Sequence, residues 1–509
     1  MRKKSGRFLP ALRSALLAGP AAPLMRRILH RRIQRRAAAW QARVNARLAG
    51  IAPAGQTVAG SVTVDAGLPR LAWRATLNRE LELAVHCGAG VEVFEGGIVE
   101  GVWAGAFDAF DFAASAYRYG SGLRYDARGI TLCPPSHMFE GVFMLRDKKR
   151  GALHFANTLA HCLAAAGLDE NSGFLRAICA EVSAINDTCT RLGVLAYDPQ
   201  LIEDDDYALY VFYFHNVSIE PGRGLRVHAR PELPEFSDFQ GYREFLLTTL
   251  RALAANGAAA GRGRPQQLLS TVSQGYDSPA VSALAAAAGC DMALTVGVTV
   301  YGNDDSGAEV ARHLGLDCRE CRHPAGAAID NLHMTYGDDL YDTAREFLAT
   351  QGFGDDVVFA AFEPYLENRI LLTGAMGDSV WDIRSNLPAG LPIRVRYGKS
   401  LAEYRVRLGF AHVPVPTIGA LAPAPIAAIS ATAAMRPYAV GGRYDRPIAR
   451  RLAEEAGVPR DAFGRRKNAT NPHPINFESL KQPALVAMLR TYRASLARTD
   501  GGRERRSTS

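Results

Sequence analysis

Six consecutive residues, Ser273-Gln274-Gly275-Tyr276-Asp277-Ser278, put two serine hydroxyls, a glycine and a carboxylate between an apolar run and an alanine-rich stretch. Hydroxyls and backbone amides at the start of a helix are how a protein holds pyrophosphate. The elements needed to position such a loop are legible around it. Residues 268–272 are short, apolar and β-branched, as a buried parallel strand should be. Ser278 suits the N-cap of the helix that follows, Pro279 its first position and Gly289 its end. The loop lacks the lysine of a P-loop, which favours gripping a leaving pyrophosphate over delivering a γ-phosphate. The plainer alternative is an ordinary strand-turn-helix in which Asp277 merely caps the helix.

The Ser-x-Gly-x-Asp-Ser core resembles the Ser-Gly-Gly-x-Asp-Ser loop of the asparagine synthetase and β-lactam synthetase family, with Gln274 standing where that family has its first glycine. The resemblance continues in order along the chain. A second candidate strand at 293–300 leads to Asp304-Asp305-Ser306 and a helix-like stretch at 308–315, similar to the family's second βα unit. The run 370–373 leads into Gly374-Ala375-Met376-Gly377-Asp378-Ser379, which resembles the family's Gly-x-Gly-Gly-Asp-Glu turn. Arg446-Pro447-Ile448, Gly457-Val458-Pro459-Arg460 and Arg465-Arg466-Lys467 are similar to its closing segment.

What the resemblance implies is an α/β chain in two parts. A doubly wound parallel sheet of the ATP-pyrophosphatase (PP-loop) type is expected at 265–492, preceded by an α+β, degenerate glutaminase-like (Ntn-hydrolase-like) domain at 51–235. ATP and Mg²⁺ are the implied cofactors. Asp277 and Asp378 would share the metal, since Mg²⁺ accepts one or two carboxylates plus phosphate oxygens. Ser273, Gln274, Gly275, Ser278, Gly374 and Gly377 would line the phosphates, Val298 would lie beside the adenine, and Lys467 would offset charge on the α-phosphate. The implied reaction adenylates a carboxylate, releases pyrophosphate and lets an amine or ammonia displace AMP.

Two departures bear on that chemistry. Ala375 stands where the family has an acid or tyrosine serving the amide-forming step, and Ser379 replaces an acid. Glu363, Glu367 or Asp382 would have to take over, or the second step differs. The chain also opens Met1-Arg2-Lys3-Lys4, without the starting cysteine that cleaves glutamine, and Cys87-Gly88 would serve only after cleavage. A domain without glutaminase activity resembles the β-lactam synthetase case. A competing reading is a catalytically inactive nucleotide-binding paralogue with a regulatory role.

Composition bounds these readings. The 509 residues, 48% hydrophobic and 22% charged, suffice for two domains of ordinary globular type. The net charge of +8 is local: residues 1–64 hold thirteen lysines and arginines and no acid, so the remainder is net acidic. No nucleic-acid partner is therefore expected. Residues 1–50 read as a basic extension, disordered, or helical against an anionic membrane or a partner. No run of 18 strongly apolar residues occurs, and Pro423 and Pro425 interrupt the alanine-rich stretch 420–435. Of eight cysteines only Cys318 and Cys321 are closely spaced; with His323 they could form half a metal site or a sulfur relay to tRNA, but reduced thiols on a third strand are the simpler reading. ATP use and scattered cysteines suggest the cytoplasm.

Helices are expected at 153–166, 174–185 and 237–256, with strands at 91–94 and 207–214. Residues 236–264 are a helix and linker, the latter at 257–264, and 493–509 a disordered tail. Gly398-Lys399-Ser400 imitates a Walker A ending without its earlier glycine. Arg394, Arg396, Lys399 and Arg405 form a basic cluster that would face substrate or water.

Overall fold

A computed structural model of the chain describes residues 22–51, 56–230, 234–297, 304–321, 345–351, 356–385, 387, 389–392, 401–442, 444–464 and 478–504. Four sheets organise them: a mostly antiparallel seven-stranded sheet, an antiparallel six-stranded sheet, a two-stranded ladder and a five-stranded parallel sheet. In the seven-stranded sheet the order is Ala59–Val64, Glu82–Cys87, Trp73–Leu77, Ala152–Ala156, Val142–Asp147, Tyr207–Phe212, Gln200–Glu203, and only the outermost pair 59–64 and 82–87 is parallel. The six-stranded sheet runs from Gly224–His228 to Glu92–Phe94. Residues of both sheets meet in one hydrophobic core.

Local patterns explain most boundaries, and some correct the sequence reading. The stretch 153–156 is a strand rather than the start of a helix, because every residue of Ala152–Ala156 is buried in mid-sheet. A continuous apolar run does not distinguish a buried strand from a buried helix. Thr158 then caps the helix Leu159–Ala165 by accepting from the His161 amide. The helix Phe239–Gly257 starts at an Asp238 cap, and the glycine-rich segment after it is no loose linker. Its Arg262 is buried and donates to the carbonyls of Gly101 and Asn256.

Both ends of the chain also differ from expectation. Ala22–Leu48 is a helix whose Ile33, Ala37, Trp40, Val44 and Leu48 form one buried stripe against strand Gly224–His228. Trp40 donates to the Tyr197 carbonyl at 2.7 Å. Residues 493–504 continue the helix Glu478–Glu504 rather than forming a disordered tail, and that helix lies on Leu159–Ala165 with Tyr492 stacked on His161.

The second half holds a five-stranded, wholly parallel sheet. Its order is Asp317–Cys321, Met292–Val296, Gln267–Thr271, Arg369–Thr373, Ala411–Pro414, so the strands run third, second, first, fourth, fifth. Side chains alternate between two faces. Leu268, Ile370 and Leu372 enter the large core with helices Phe239–Gly257, Asp277–Ala287 and Pro447–Glu455. Leu269, Leu294 and Leu371 point the other way, against Phe347, Leu401, Tyr404, Phe410 and Ala484. Both faces are thus covered, as parallel sheets require.

A buried ion cluster pins this sheet to the antiparallel part. Arg405 donates to both carboxylate oxygens of Glu100, at 2.6 and 2.9 Å, and its Nε lies 2.6 Å from Glu140. Arg405 therefore faces neither substrate nor water; Arg394, Arg396 and Lys399 lie outside the described residues, as does the Gly398–Ser400 sequence.

Candidate functional site

Strand order reverses between Gln267–Thr271 and Arg369–Thr373, and in open α/β sheets the crevice beyond the strand ends at that reversal is where ligands bind. Both sequence-predicted turns lie there. The first leaves the sheet at Val272 and enters the helix Asp277–Ala287; the second leaves at Thr373 and enters the short helix Gly377–Val380.

The helix begins two residues earlier than expected, with Tyr276 as N-cap. Ser278 does not cap it. Its hydroxyl turns back to the Ser273 amide at 3.0 Å and the Ser273 hydroxyl at 2.8 Å. The Gly275 amide donates to Ser273 Oγ, and the Gln274 amide to Asp305. Gln274, the departure from the family glycine, sends its side chain outward to Asp304 at 2.8 Å. Gly289, at φ 96°, closes the helix as expected.

The turn at 304–306 thus forms a floor under the loop. Ser273 and Ser306 make a lone β-bridge, and the Gly307 amide donates to Thr295. Asp305 is buried, and burial pushes its carboxyl up to about 6, against the opposing pull of the Gln274 amide. In the sequence Asp305 is visible only as half of a doubled acid, with nothing local to mark it as buried.

The two turns are in contact. A β-carbon built on Gly374 would lie 2.8 Å from Asp277 Cβ, and one on Gly377 only 2.3 Å from Asp277 Cγ. Met376, at φ 72°, supplies the left-handed residue that lets the second turn fold tightly against Asp277. Asp378 follows directly, and both carboxylates act on the Arg446 guanidinium, so the two residues flank one crevice.

A third segment closes over them. Arg446 is buried and its guanidinium pairs with the Asp277 carboxylate while lying over the Tyr444 ring. Burial opposes its charge, yet Asp277, Tyr444 and Asp378 together hold it above its usual value. Asp445, accepting from the amides of Val440 and Gly441, fixes the turn that aims Tyr444 and Arg446. Tyr276 is buried against Tyr444 and Phe463, its hydroxyl accepting from Arg450 at 2.8 Å. The Gly464 amide donates to the Gln274 carbonyl at 2.7 Å. In the sequence Arg446 stands out only as part of a proline-led closing segment.

Other candidates separate. Glu363 and Glu367 precede strand Arg369–Thr373 and so lie at its opposite end, paired with Arg407 and Arg70. Asp382, just past the second turn and paired with Arg384, remains on the crevice side. Lys467, Arg465, Arg466, Val298 and His323 lie outside the described residues. Cys318 and Cys321 sit on the sheet's outer strand, two strands from the loop, as expected of structural thiols. Burial first, then Glu320, pushes the Cys318 thiol up to about 11, far from a reactive thiolate.

The donor set defines what the crevice can hold. No group of three or more His, Cys, Asp or Glu side chains that could hold a metal ion occurs among the described residues. Two carboxylates beside a helix N-terminus and hydroxyls suit a hard divalent ion that takes its remaining ligands from phosphate and water. Arg446 already places a cation against Asp277. Compared with known proteins, the chain matches no family model and no curated protein.

Proposed function

We propose that the chain is an ATP- and Mg²⁺-dependent ligase, similar to asparagine synthetases, that adenylates a carboxylate with release of pyrophosphate and forms an amide without a glutaminase of its own. The observation that carries this reading is the contact of Asp277 with the Gly374–Gly377 turn at the point where the parallel sheet reverses its strand order. The strand order, third-second-first-fourth-fifth, supports a PP-loop type of domain.

Asp277 and Asp378 are the residues that would hold the metal, whose contribution when bound is to neutralise charge on the nucleotide's phosphates. Ser273, Gly275, Ser278 and the first-turn amides of Asp277–Ala287 orient the pyrophosphate, with Gly374 and Gly377 leaving room beside Asp277. Arg446 exchanges its carboxylate partner for a phosphate oxygen, the bidentate contact a guanidinium is shaped to make. Such a site works by positioning and preorganised charge. Lys467 is assigned the same task on the α-phosphate by resemblance, and Asp382, the one of the three candidate acids that follows the second turn, is assigned the amine step. Pyrophosphate release over a panel of carboxylates tests the proposal. It should vanish in Asp277→Ala, and a wild-type rate in that variant would overturn it.

A specific observation favours a second reading. The Ser273, Gln274 and Gly275 amides are spent on internal partners, and Ala375 offers no proton-transfer group. A regulatory paralogue that binds nucleotide without turnover would show ATP-linked stabilisation, about 3 kcal/mol at a hundredfold excess over Kd. Any sustained AMP production eliminates it.

A further inference from the structure

The helix Ala22–Leu48 has two faces of opposite character. Its buried stripe, from Ile33 to Leu48, faces the protein. At 100° per residue, Leu24, Arg27, Ile28, Arg31, Arg32 and Arg35 fall within about 140° of arc on the other side. All six are exposed. Leu24 and Ile28, one turn apart, are 62% and 50% exposed and so belong to the few large hydrophobics at the surface. None of these four arginines forms an ion pair with another described residue, whereas Arg47, near the end of the same helix, pairs with Asp198. The segment before the helix adds five cations and no acid, interspersed with leucines and a phenylalanine.

We propose that this face docks the protein on an anionic lipid bilayer. Arginines with no acidic partner among the described residues call for fixed anions, which phosphate headgroups supply. Exposed Leu24 and Ile28 among them call for hydrocarbon, which nucleic acid or an acidic protein surface does not provide. A helix with an apolar-and-cationic outer face lies in the interface plane. No helix among the described residues is long and apolar enough to cross a membrane, so the contact is peripheral. The buried stripe remains against the protein, so docking needs no unfolding of the helix.

Sedimentation of the full chain with vesicles tests this, comparing phosphatidylcholine alone with a mixture containing about one third phosphatidylglycerol. Binding is expected to the anionic vesicles only, falling at least tenfold as salt rises from about 0.1 to 0.5 M. Arg27→Gln/Arg31→Gln/Arg35→Gln should weaken it roughly a hundredfold, a factor of about five per charge. Leu24→Ser/Ile28→Ser should weaken it about tenfold and leave the salt dependence in place. Because these side chains are exposed, both variants should keep the wild-type thermal midpoint, which separates lost docking from lost fold. Equal binding to neutral and anionic vesicles, or binding to neither, overturns the proposal. So does tighter binding to RNA or duplex DNA that is indifferent to Leu24→Ser/Ile28→Ser.

Discussion

Asp277 and Gly377 touch so closely that a β-carbon on the glycine would fall 2.3 Å from the aspartate's Cγ, although 100 positions separate them in the chain. The aspartate cannot yield freely, because Arg446 holds its other side. Gly377→Ala should therefore cost about 1–3 kcal/mol, the usual price of overpacking. It should also shrink any ATP-linked rise in Tm, since the displaced carboxylate no longer faces the crevice. Thermal melts with and without ATP and Mg²⁺ check both effects.

The cluster of Arg405, Glu100 and Glu140 joins the two halves in a region where all three side chains are 4% exposed or less. Burial pushes the Glu140 carboxyl up to about 7, with Arg405 pulling against it and Glu100 adding to it. Arg405→Met removes the only described cation between two buried acids. Breaking one partner out of a buried pair costs roughly 3–5 kcal/mol. Urea denaturation should show that loss, and limited proteolysis should cut more readily between the halves. An unchanged midpoint would mean that the glutamates are satisfied without the arginine.

The candidate site was more legible in the sequence than the packing around it. Strand, turn and helix around residues 267–287 follow from local apolar and glycine signals, so the loop and Gly289 lie where periodicity put them. The Ser278 assignment missed because a serine beside a helix start satisfies either the helix or its own loop, and only the fold decides. Arg405 reads from the sequence as facing substrate or water because its partner Glu100 lies 305 positions away, beyond any local pattern. The helix Ala22–Leu48 was read as an extension because its arginines outweigh a buried stripe spaced at three and four residues. Strand Ala152–Ala156, buried throughout, carries no alternation to betray it.

Glu403 gives a pH dependence with a defined sign. It is buried, accepts from the Tyr492 hydroxyl at 2.7 Å, and burial pushes its carboxyl up to about 7, with Tyr492 and Thr158 opposing. The folded protein therefore keeps this proton up to about pH 7, while the unfolded chain releases it near 4.5. Stability from this group is present below 4.5 and is lost as pH rises through 7. The loss is at most about 3 kcal/mol, from 1.36 kcal/mol per pH unit. Glu403→Gln mimics the protonated side chain. Its Tm should exceed wild type by a few degrees at pH 8 and match it near pH 4.5; a gap that does not change with pH would contradict the assignment.

The pair of Asp277 and Arg446 separates structural from catalytic roles through a double-mutant cycle. Asp277→Asn strands a guanidinium that is 3% exposed, whereas Asp277 itself is 20% exposed, so the cost should lie below the roughly 3–5 kcal/mol of a fully buried pair. Arg446→Met relieves that strain, and the double variant should recover most of the lost stability. If Asp277 serves only to hold Arg446, the double variant releases pyrophosphate as fast as Arg446→Met alone. If it holds a metal, the double variant melts like wild type and releases nothing. Mn²⁺ titrations watched by electron paramagnetic resonance add a readout that does not need turnover. Arg446→Met alone should bind Mn²⁺ several-fold more tightly than wild type in the absence of nucleotide, because the resident cation no longer competes for Asp277, and the double variant should lose that gain.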